Sequence, residues 1–294
     1  MMEPIPNSNL RTPNSYVVCG PTASGKSELS DELADNLTER RGRRVPTVVV
    51  DSMQVYAELP IITNQVRRRP AVLVGVVSVG EEWSVAEHRS RVEEIASGED
   101  VFVLDAGTGM YLNAILLDFP LAPRVPPELR RRAGEVSANA LNPRRVAREH
   151  ELELAGADTR GSVWEGNLRY ETSILYLRPP REVIDAAISG RSRRIARHGL
   201  GEAETLRAML APGQEINPSV MDSVGVRELL QHLAGEITLE KAEDLIATRT
   251  RRLARRQMRW FDKLMRTLEG RAPITILEDP HQAELHSMHD IIGA

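Results

Sequence analysis

Short apolar runs alternate with helical patterns through the first third of the chain. Three runs have the length and composition of strands buried in a sheet. They are 16–19, 45–50 and 101–104. A fourth run, 71–79, is a weaker strand prediction because a glycine and a serine interrupt it. The spacing of Leu29, Leu33 and Leu37 predicts one intervening helix, and residues 83–96 predict another. Strands that alternate with helices predict a parallel sheet with helices on both faces.

The rest of the chain is predicted to be mainly helical. Four prolines within 120–127 break the alternating pattern, and an arginine-rich helical segment follows from Glu128. One further strand is predicted at 174–177. Two long helical patterns follow this strand. They cover 182–211, with a break at 199–201, and 241–268.

A glycine-rich turn joins the first predicted strand to the first predicted helix. Its sequence, GPTASGKS, matches the pattern G-x-x-x-x-G-K-[ST], whose backbone N–H groups form a cradle for phosphates. The cradle residues are Gly20, Pro21, Thr22, Ala23, Ser24, Gly25, Lys26 and Ser27. In such a cradle the lysine reaches the outer phosphate, the serine holds Mg²⁺ and the helix presents its positive end. The motif does not identify the molecule that carries the phosphates.

These elements predict an α/β fold, with a P-loop NTPase-like parallel sheet flanked by helices and a small, shortened helical insert. We expect the catalytic domain in 16–112 and 171–270, and the insert in 113–170. Flexible or peripheral tails are expected at 1–15 and 271–294.

Two aspartates occur where predicted strands end. Asp51 follows the second strand, and Asp105 begins the segment DAGTG after residues 101–104. Ligands of parallel sheets bind at the carboxyl ends of the strands, so the cradle, Asp51 and 105–109 should meet at one edge. Asp51 could bind Mg²⁺ there, or accept a proton from a nucleophile as a general base. A helix cap or a turn residue is the structural alternative for Asp51.

Composition narrows the class of protein. The chain is 41% apolar and 27% charged, which is typical of a soluble globular protein, and its net charge is −4. The N-terminal segment is polar and no apolar run could span a membrane, so we expect a cytoplasmic monomer. The single cysteine, Cys19, excludes an internal disulfide and should be buried in the first strand. The seven histidines have no metal-ligand spacing, so no zinc site is expected.

Beyond the cradle, seven segments resemble the tRNA dimethylallyltransferase (isopentenyltransferase) family, in the order in which that family has them. The segments are 51–56 (DSMQVY), 59–64 (LPIITN), 106–112 (AGTGMYL), 142–146 (NPRRV), 191–199, 223–229 (SVGVREL) and 250–261. Together they extend the resemblance over most of the chain.

The resemblance implies a reaction and roles for individual residues. Dimethylallyl diphosphate would occupy the cradle, and N6 of an adenine would attack its allylic C1 while diphosphate leaves. Asp51 would be the general base, and Lys26, Arg191, the loop amides and Mg²⁺ on Ser27 would neutralise the leaving group. Thr22 and Thr108 could hydrogen-bond the donor or the adenine. Residues at positions that contact the acceptor base in the family are Ser52, Met53 and Gln54. For Arg191, a solvated helix residue is an equal alternative.

Four departures from the family pattern bear on this expectation. Asp105 stands where the family has glycine, and Gln65 stands where eukaryotic members have lysine. The paired histidines that often precede the WSVAEHR-like stretch are absent. The segment between Tyr111 and Asn142, where the family usually has a helical insert that grips tRNA, is short. Asp105 also resembles the second acidic position of nucleotide-hydrolysing P-loop proteins, which favours a small-molecule kinase as an alternative.

The arginines favour tRNA as the acceptor. Six of them occur in 249–259 on one predicted helix, and a run of this density could follow a line of phosphates. We expect Arg144, Arg145, Arg252 and Arg256 to contact tRNA. A solvated helix face that forms ion pairs is the structural alternative. Transfer to free AMP, ADP or ATP, or RNA binding without catalysis, stays open. Trp260 is expected to pack in the core.

Overall fold

The computed structural model describes residues 13–123, 125–137, 143–156 and 162–280. The strands are β1 (Asn14–Cys19), β2 (Thr47–Val50), β3 (Val101–Ala106), β4 (Glu171–Leu177) and β5 (Ile274–Leu277). The helices are α1 (Lys26–Arg41), α2 (Val85–Ser97), α3 (Gly109–Leu116), α4 (Pro127–Ser137), α5 (Pro143–Leu154), α6 (Arg181–His198), α7 (Leu200–Leu210), α8 (Pro218–Met221), α9 (Val226–Leu233) and α10 (Leu239–Leu268). No helix in these ranges is long and apolar enough to cross a membrane.

The five strands form one sheet in the order β2-β3-β1-β4-β5, and every neighbouring pair is parallel. The predicted parallel α/β sheet is therefore confirmed. β1 and β3 are paired from Asn14 with Val101 to Cys19 with Ala106. Because the two strands end in register, the turn after β1 and the loop after β3 leave the sheet side by side.

Two apolar cores hold the edge of the sheet in place. One lies between the sheet and α1, and it includes Val18, Leu33 and Val103. The other packs the segment after β2, through Leu59 and other apolar side chains, among α6, α7, α9 and α10. Both cores exclude water, which stabilises the chain on either side of the carboxyl ends of β1, β2 and β3.

The structure corrects three boundaries. Residues 71–79 do not form a strand, because Leu73 and Gly75 have φ values of 64° and 60°, which are incompatible with extended backbone. Residues 14–15 and 274–277, which we predicted to lie in tails, belong to β1 and β5. Residues 1–12 and 281–294 of the predicted tails lie outside the described residues.

The chain divides into two compact units. One consists of residues 1–116 and 168–294, and it contains the whole sheet. The other consists of residues 117–167, in which α4 and α5 pack against each other. The predicted boundaries of the insert, 113 and 170, lie within four residues of this division.

Candidate active site

The eight predicted cradle residues form the turn between β1 and α1. Gly25 begins the helix with a φ of 86°, a conformation that a side chain would strain. Lys26 follows it and is 8% exposed. Gly20, Pro21, Thr22 and Ser24 are buried, whereas Ala23 and Ser27 are partly exposed. The Ser24 hydroxyl has no hydrogen-bond partner among the described residues. The turn thus presents polar groups that have no partner of their own.

Asp51 and Lys26 converge at Gly107, the first residue of the loop after β3. A Cβ at Gly107 would lie 2.8 Å from Asp51 Oδ2, 3.2 Å from Lys26 Cε and 3.6 Å from Lys26 Nζ. Only glycine leaves room for this approach. The backbone N–H groups of Met53 (2.8 Å) and Gln54 (3.3 Å) donate to Asp51 Oδ1, which fixes the carboxylate and leaves Oδ2 toward Gly107. The cradle, Asp51 and the 105–109 loop therefore meet at one edge, as predicted.

Electrostatics at this edge are set by burial. Burial lowers the pKa of the Lys26 ammonium, and the carboxylates of Asp105 and Asp51 oppose that shift. Burial likewise lowers the pKa of the Arg191 guanidinium, to about 10. A pKa of about 10 leaves Arg191 charged at neutral pH. An anion that reached this site would relieve the desolvation of both cations.

Arg191 belongs to the cradle rather than to a solvated helix face. Its Nη1 donates to Thr22 Oγ1 at 2.8 Å, so α6 carries a cation to the turn after β1. A cavity of about 580 Å³ opens beside it. Its lining includes Ala23, Lys26, Ser27, Asn64, Arg67 and Arg191. The cavity has the size of a small-ligand site and a cationic wall.

Gln257 of α10 ties the cradle to the loop after β3. Its Oε1 accepts from Thr22 N (2.8 Å), and its Nε2 donates to Gly107 O (2.8 Å). Gln257 belongs to the family motif at 250–261, but sequence reasoning assigned it no role. Only the fold brings it to the cradle, because 235 residues separate it from Thr22.

The residues predicted to meet an acceptor base lie directly after β2 and β3. Ser52 N donates to Thr108 Oγ1 (3.2 Å), which joins the two loops. Gln54 is 7% exposed, and its Oε1 has no hydrogen-bond partner in the described part of the chain. Met53 packs against the second apolar core. Three of these side chains thus border the same edge as Asp51, whereas Met53 turns at least partly to the core.

Asp105 is not a free acidic group at this edge. Its Oδ2 accepts from Arg67 Nη1, and Arg67 also pairs with Asp31 of α1 (2.7 Å). Gln65, which stands at the lysine position, donates to Tyr56 O and Thr63 Oγ1 (2.7 and 2.9 Å) instead of facing the cavity. The ion pair removes the main support for a kinase, because the carboxylate at the second acidic position is already paired with an arginine.

The arginines of α10 fall into two groups. Arg249 pairs with Glu228 (2.5 Å) and Arg251 with Asp185 (3.5 Å), as the structural alternative predicts. Arg252, Arg256 and Arg259 are exposed and have no carboxylate within ion-pair distance among the described residues. Arg255 is also exposed, and its Nε donates to Arg251 O (3.2 Å). We call Arg252, Arg256 and Arg259, which lie on one side of the helix, the arginine stripe.

The stripe lies on the same side of α10 as Trp260, whose ring contacts Gly109 at the start of α3. Arg252, Arg256 and Trp260 follow one another at i, i+4 spacing, so they lie along one side of α10. Trp260 lies against Gly109 and donates to Asn113 Oδ1 (3.1 Å), which agrees with its predicted packing role. Arg144 and Arg145 belong to α5, but their side chains lie outside the described part of the structure.

A family model described as IPP transferase matches residues 54–264. A tRNA dimethylallyltransferase of Rubrobacter xylanophilus is 60% identical over 291 residues, which cover 97% of this chain and 100% of that protein. The chain belongs to the IPP transferase family. The resemblance stated from the sequence motifs is thereby confirmed.

Solved structures agree on the fold of this IPP transferase family member. The tRNA isopentenylpyrophosphate transferase of Bacillus halodurans superimposes with a TM-score of 0.68 at 24% identity, over 96% of each chain. A eukaryotic dimethylallyltransferase that acts on tRNA has a TM-score of 0.70 at 21% identity, over 96% of this chain and 78% of that one.

Proposed function

We propose that this protein transfers a dimethylallyl group from dimethylallyl diphosphate to N6 of an adenine in tRNA, the one next to the anticodon, and releases diphosphate. The observation that carries the proposal is the convergence of Asp51 Oδ2 and the Lys26 side chain on Gly107. A fixed carboxylate stands there beside a desolvated cation, as transfer from an anionic leaving group to a weak nucleophile requires. The 60% identical relative is itself named a tRNA dimethylallyltransferase.

The reaction forms a C–N bond and breaks a C–O bond, and one proton moves from N6 to a carboxylate. The N6 lone pair attacks C1 of the dimethylallyl group, and the bond between C1 and the diphosphate oxygen breaks with its electron pair on oxygen. The adenine amine is a poor nucleophile because its lone pair is delocalised into the ring. Asp51 Oδ2 takes the N6 proton as the new bond forms, while Oδ1 stays held by the backbone at Met53 and Gln54.

The cradle binds the diphosphate in this proposal. Lys26 and Arg191 supply positive charge, and the backbone N–H groups of 23–27 supply hydrogen bonds, since the N–H groups of Gly20 and Thr22 already donate to Ala106 O and Gln257 Oε1. Lys26 is buried and Arg191 is partly buried before the ligand arrives, so the site is already arranged for the charge that develops on the leaving oxygen. Thr22 takes part through Arg191, since its hydroxyl accepts from that guanidinium.

Mg²⁺ fits this cradle as a companion of the diphosphate. Ser27 lies in the first turn of α1 and borders the cavity, where its hydroxyl can serve as one ligand. No group of three or more acidic, histidine or cysteine side chains suitable for a metal occurs in the described residues. A single protein ligand suits Mg²⁺, which keeps several waters and binds substrate phosphates. When bound, the ion offsets the negative charge of the diphosphate.

The acceptor side is formed by Asp51, Ser52, Gln54 and Thr108, with Met53 beneath them. Gln54 Oε1 is buried and has no hydrogen-bond partner among the described residues, so it can accept from an adenine amine only after the side chain turns toward the site. The arginine stripe and the α5 residues Arg144 and Arg145 would bind the tRNA backbone. A free adenine nucleotide has no use for a row of exposed arginines along a helix, and the relatives described above carry tRNA names.

Labelled dimethylallyl diphosphate, with Mg²⁺ and two acceptors in parallel, tests the proposal. One acceptor is an anticodon stem-loop with an unmodified adenine, and the other is AMP. We expect label on the stem-loop, at N6, as found by digestion to nucleosides and mass spectrometry. A stem-loop with guanine at that position is the matched control and should stay unlabelled. Transfer to AMP alone would overturn the tRNA acceptor, and transfer to neither would overturn the reaction.

A further inference from the structure

Three buried charged side chains form a cluster beneath the first turn of α1. Arg67 Nη1 donates to Asp105 Oδ2, and Arg67 Nη2 donates to Asp31 Oδ1 (2.7 Å). The side chains of Arg67, Asp31 and Asp105 are 4%, 2% and 1% exposed. A buried charge is stable only with a partner, and here two carboxylates share one guanidinium.

The cluster is continuous with the phosphate cradle. Arg67 Nη2 also donates to the carbonyl oxygen of Ser27 at 3.1 Å. The negative charge of Asp105 acts on the Lys26 ammonium more strongly than that of Asp51 does. Asp105 Oδ1 has no hydrogen-bond partner, and Lys26 has no carboxylate within ion-pair distance, among the described residues. Asp105 lies two residues before Gly107, where the Lys26 side chain passes within 3.2 Å of the Cβ position. An acceptor without a partner and an ammonium without a carboxylate therefore occur at the same end of β3.

We propose that Arg67 is a positioning residue of the cradle: it holds the Asp105 carboxylate and thereby leaves the Lys26 ammonium free for the diphosphate. This inference rests on the proposed function. Without Arg67, the buried Asp105 carboxylate would pair with Lys26, because an unpaired buried charge binds an available opposite charge. Lys26 would then have to break an ion pair before it could bind a phosphate.

Direct contact between Arg67 and the diphosphate is the competing explanation, because Arg67 also borders the cavity. Its contacts argue against that role. Both terminal nitrogens already donate, to Asp31, Asp105 and the Ser27 carbonyl, and only 4% of the side chain is exposed. Both terminal nitrogens are therefore bound to protein groups before a ligand arrives, while Nε is buried and has no partner among the described residues.

A double-variant cycle with inorganic diphosphate and Mg²⁺ tests this inference. Affinity is measured by calorimetric titration of the full chain, and folding of each variant by circular dichroism and thermal melting. Arg67→Gln should weaken diphosphate binding by about tenfold or more, the range for loss of a charged hydrogen bond. In the Arg67→Gln/Asp105→Asn variant, affinity should return to within about threefold of Asp105→Asn alone, because the two sites are coupled.

Arg69→Gln is the matched control. Arg69 belongs to the same arginine run, and its side chain is 12% exposed. It pairs with Asp35 (3.1 Å) and donates to Val45 O (2.9 Å) and to the backbone carbonyl of Asp31 (3.5 Å), so it contacts no cradle residue and neither carboxylate of the cluster. Its loss should lower thermal stability and leave diphosphate affinity unchanged.

Two results would overturn the inference. A double variant as weak as Arg67→Gln would mean that Arg67 contacts the diphosphate directly. An Arg67→Gln protein that melts earlier but binds with normal affinity would mean a structural role only. Should Arg67→Gln not fold, Asp105→Asn and the double variant decide, since equal affinities support positioning and a weaker double variant contradicts it. Failure of the unaltered protein to bind diphosphate would instead overturn the proposed function.

Discussion

The cradle and the arginine stripe are both basic, but they hold their charge in opposite ways. In the cradle, Lys26 is 8% exposed and Arg191 already donates to Thr22. In the stripe, Arg252, Arg256 and Arg259 are exposed and have no acidic partner among the described residues. The cradle suits a small anion at one fixed place, whereas the stripe suits an extended anion that approaches from solvent.

The difference follows from how burial and exposure to solvent change the strength of the interaction between a cation and an anion. A desolvated cation interacts strongly with an anion but only at a set distance, so its neighbours must fix it. An exposed cation interacts weakly and is screened by salt, so several must act together. Donor binding should therefore depend on single residues and little on salt, whereas tRNA binding should depend on salt and little on any single arginine.

The largest expected effect comes from replacing the carboxylate beside the cradle rather than one of the cations. Asp51→Asn should lower transfer by about a hundredfold or more, the usual cost of losing a general base. Diphosphate and tRNA binding should persist, because the amide oxygen can still accept from Met53 N and Gln54 N. Single-turnover transfer and separate binding titrations measure this. A folded variant with near-normal transfer would show that Asp51 is not the base.

Lys26→Ala tests whether a single buried cation dominates donor binding. We expect donor affinity and transfer to fall together by roughly 30- to 100-fold, the cost of one charged hydrogen bond in a desolvated site. Diphosphate, which stabilises the native state by binding it, should no longer raise the melting temperature. Lys241→Ala on the exposed first turn of α10 is the control. Equal losses in the two variants would contradict the division between buried and exposed charge.

Ser27→Ala tests how much Mg²⁺ contributes to diphosphate binding through the Ser27 hydroxyl. The variant should lose about tenfold in diphosphate affinity when Mg²⁺ is present, the cost of one ligand to a charged partner. With EDTA, its affinity should equal that of the unaltered protein, because the hydroxyl then has no ion to bind. Calorimetry in both buffers measures the difference. An equal loss with EDTA would show that Ser27 acts on the diphosphate without a metal.

Local chemistry made the cradle, β2, β3 and Asp51 predictable. Each of these features can be recognised from consecutive residues. Buried strands flanked by helices are apolar throughout, and the glycine-rich turn has its own pattern. The strand predicted at 71–79 was wrong because apolar content indicates burial rather than extended backbone. Leu73 and Gly75 take positive φ values there. β5 was not predicted because it is a short edge strand, in which only Leu277 is buried.

The site residues that sequence reasoning missed are those joined by distant contacts. Gln257 reaches Thr22 across 235 residues, and Arg67 reaches Asp105 across 38. No local period or spacing encodes such pairs, because the fold alone decides which loops meet. The presence of Asp105 where the family has glycine was a usable signal. A buried acid there needs a cation, and the three arginines at 67–69 were candidates.

The smallest effect, and the one that tests the stripe, is expected from Arg252→Gln/Arg256→Gln. Each exposed arginine contributes little, so tRNA affinity should fall by roughly fivefold near physiological salt. The plot of log affinity against log salt should lose about one unit of slope per arginine, as for phosphate contacts in general. Diphosphate affinity should not change.

Arg251→Gln is the control, because Arg251 lies on the same helix as the stripe but is paired with Asp185 of α6. This variant should leave the slope intact. If Arg251→Gln flattened the slope as much as the double variant, the stripe would have no special role. In that case the phosphate contacts would have to lie elsewhere, with Arg144 and Arg145 of α5 the next residues to replace.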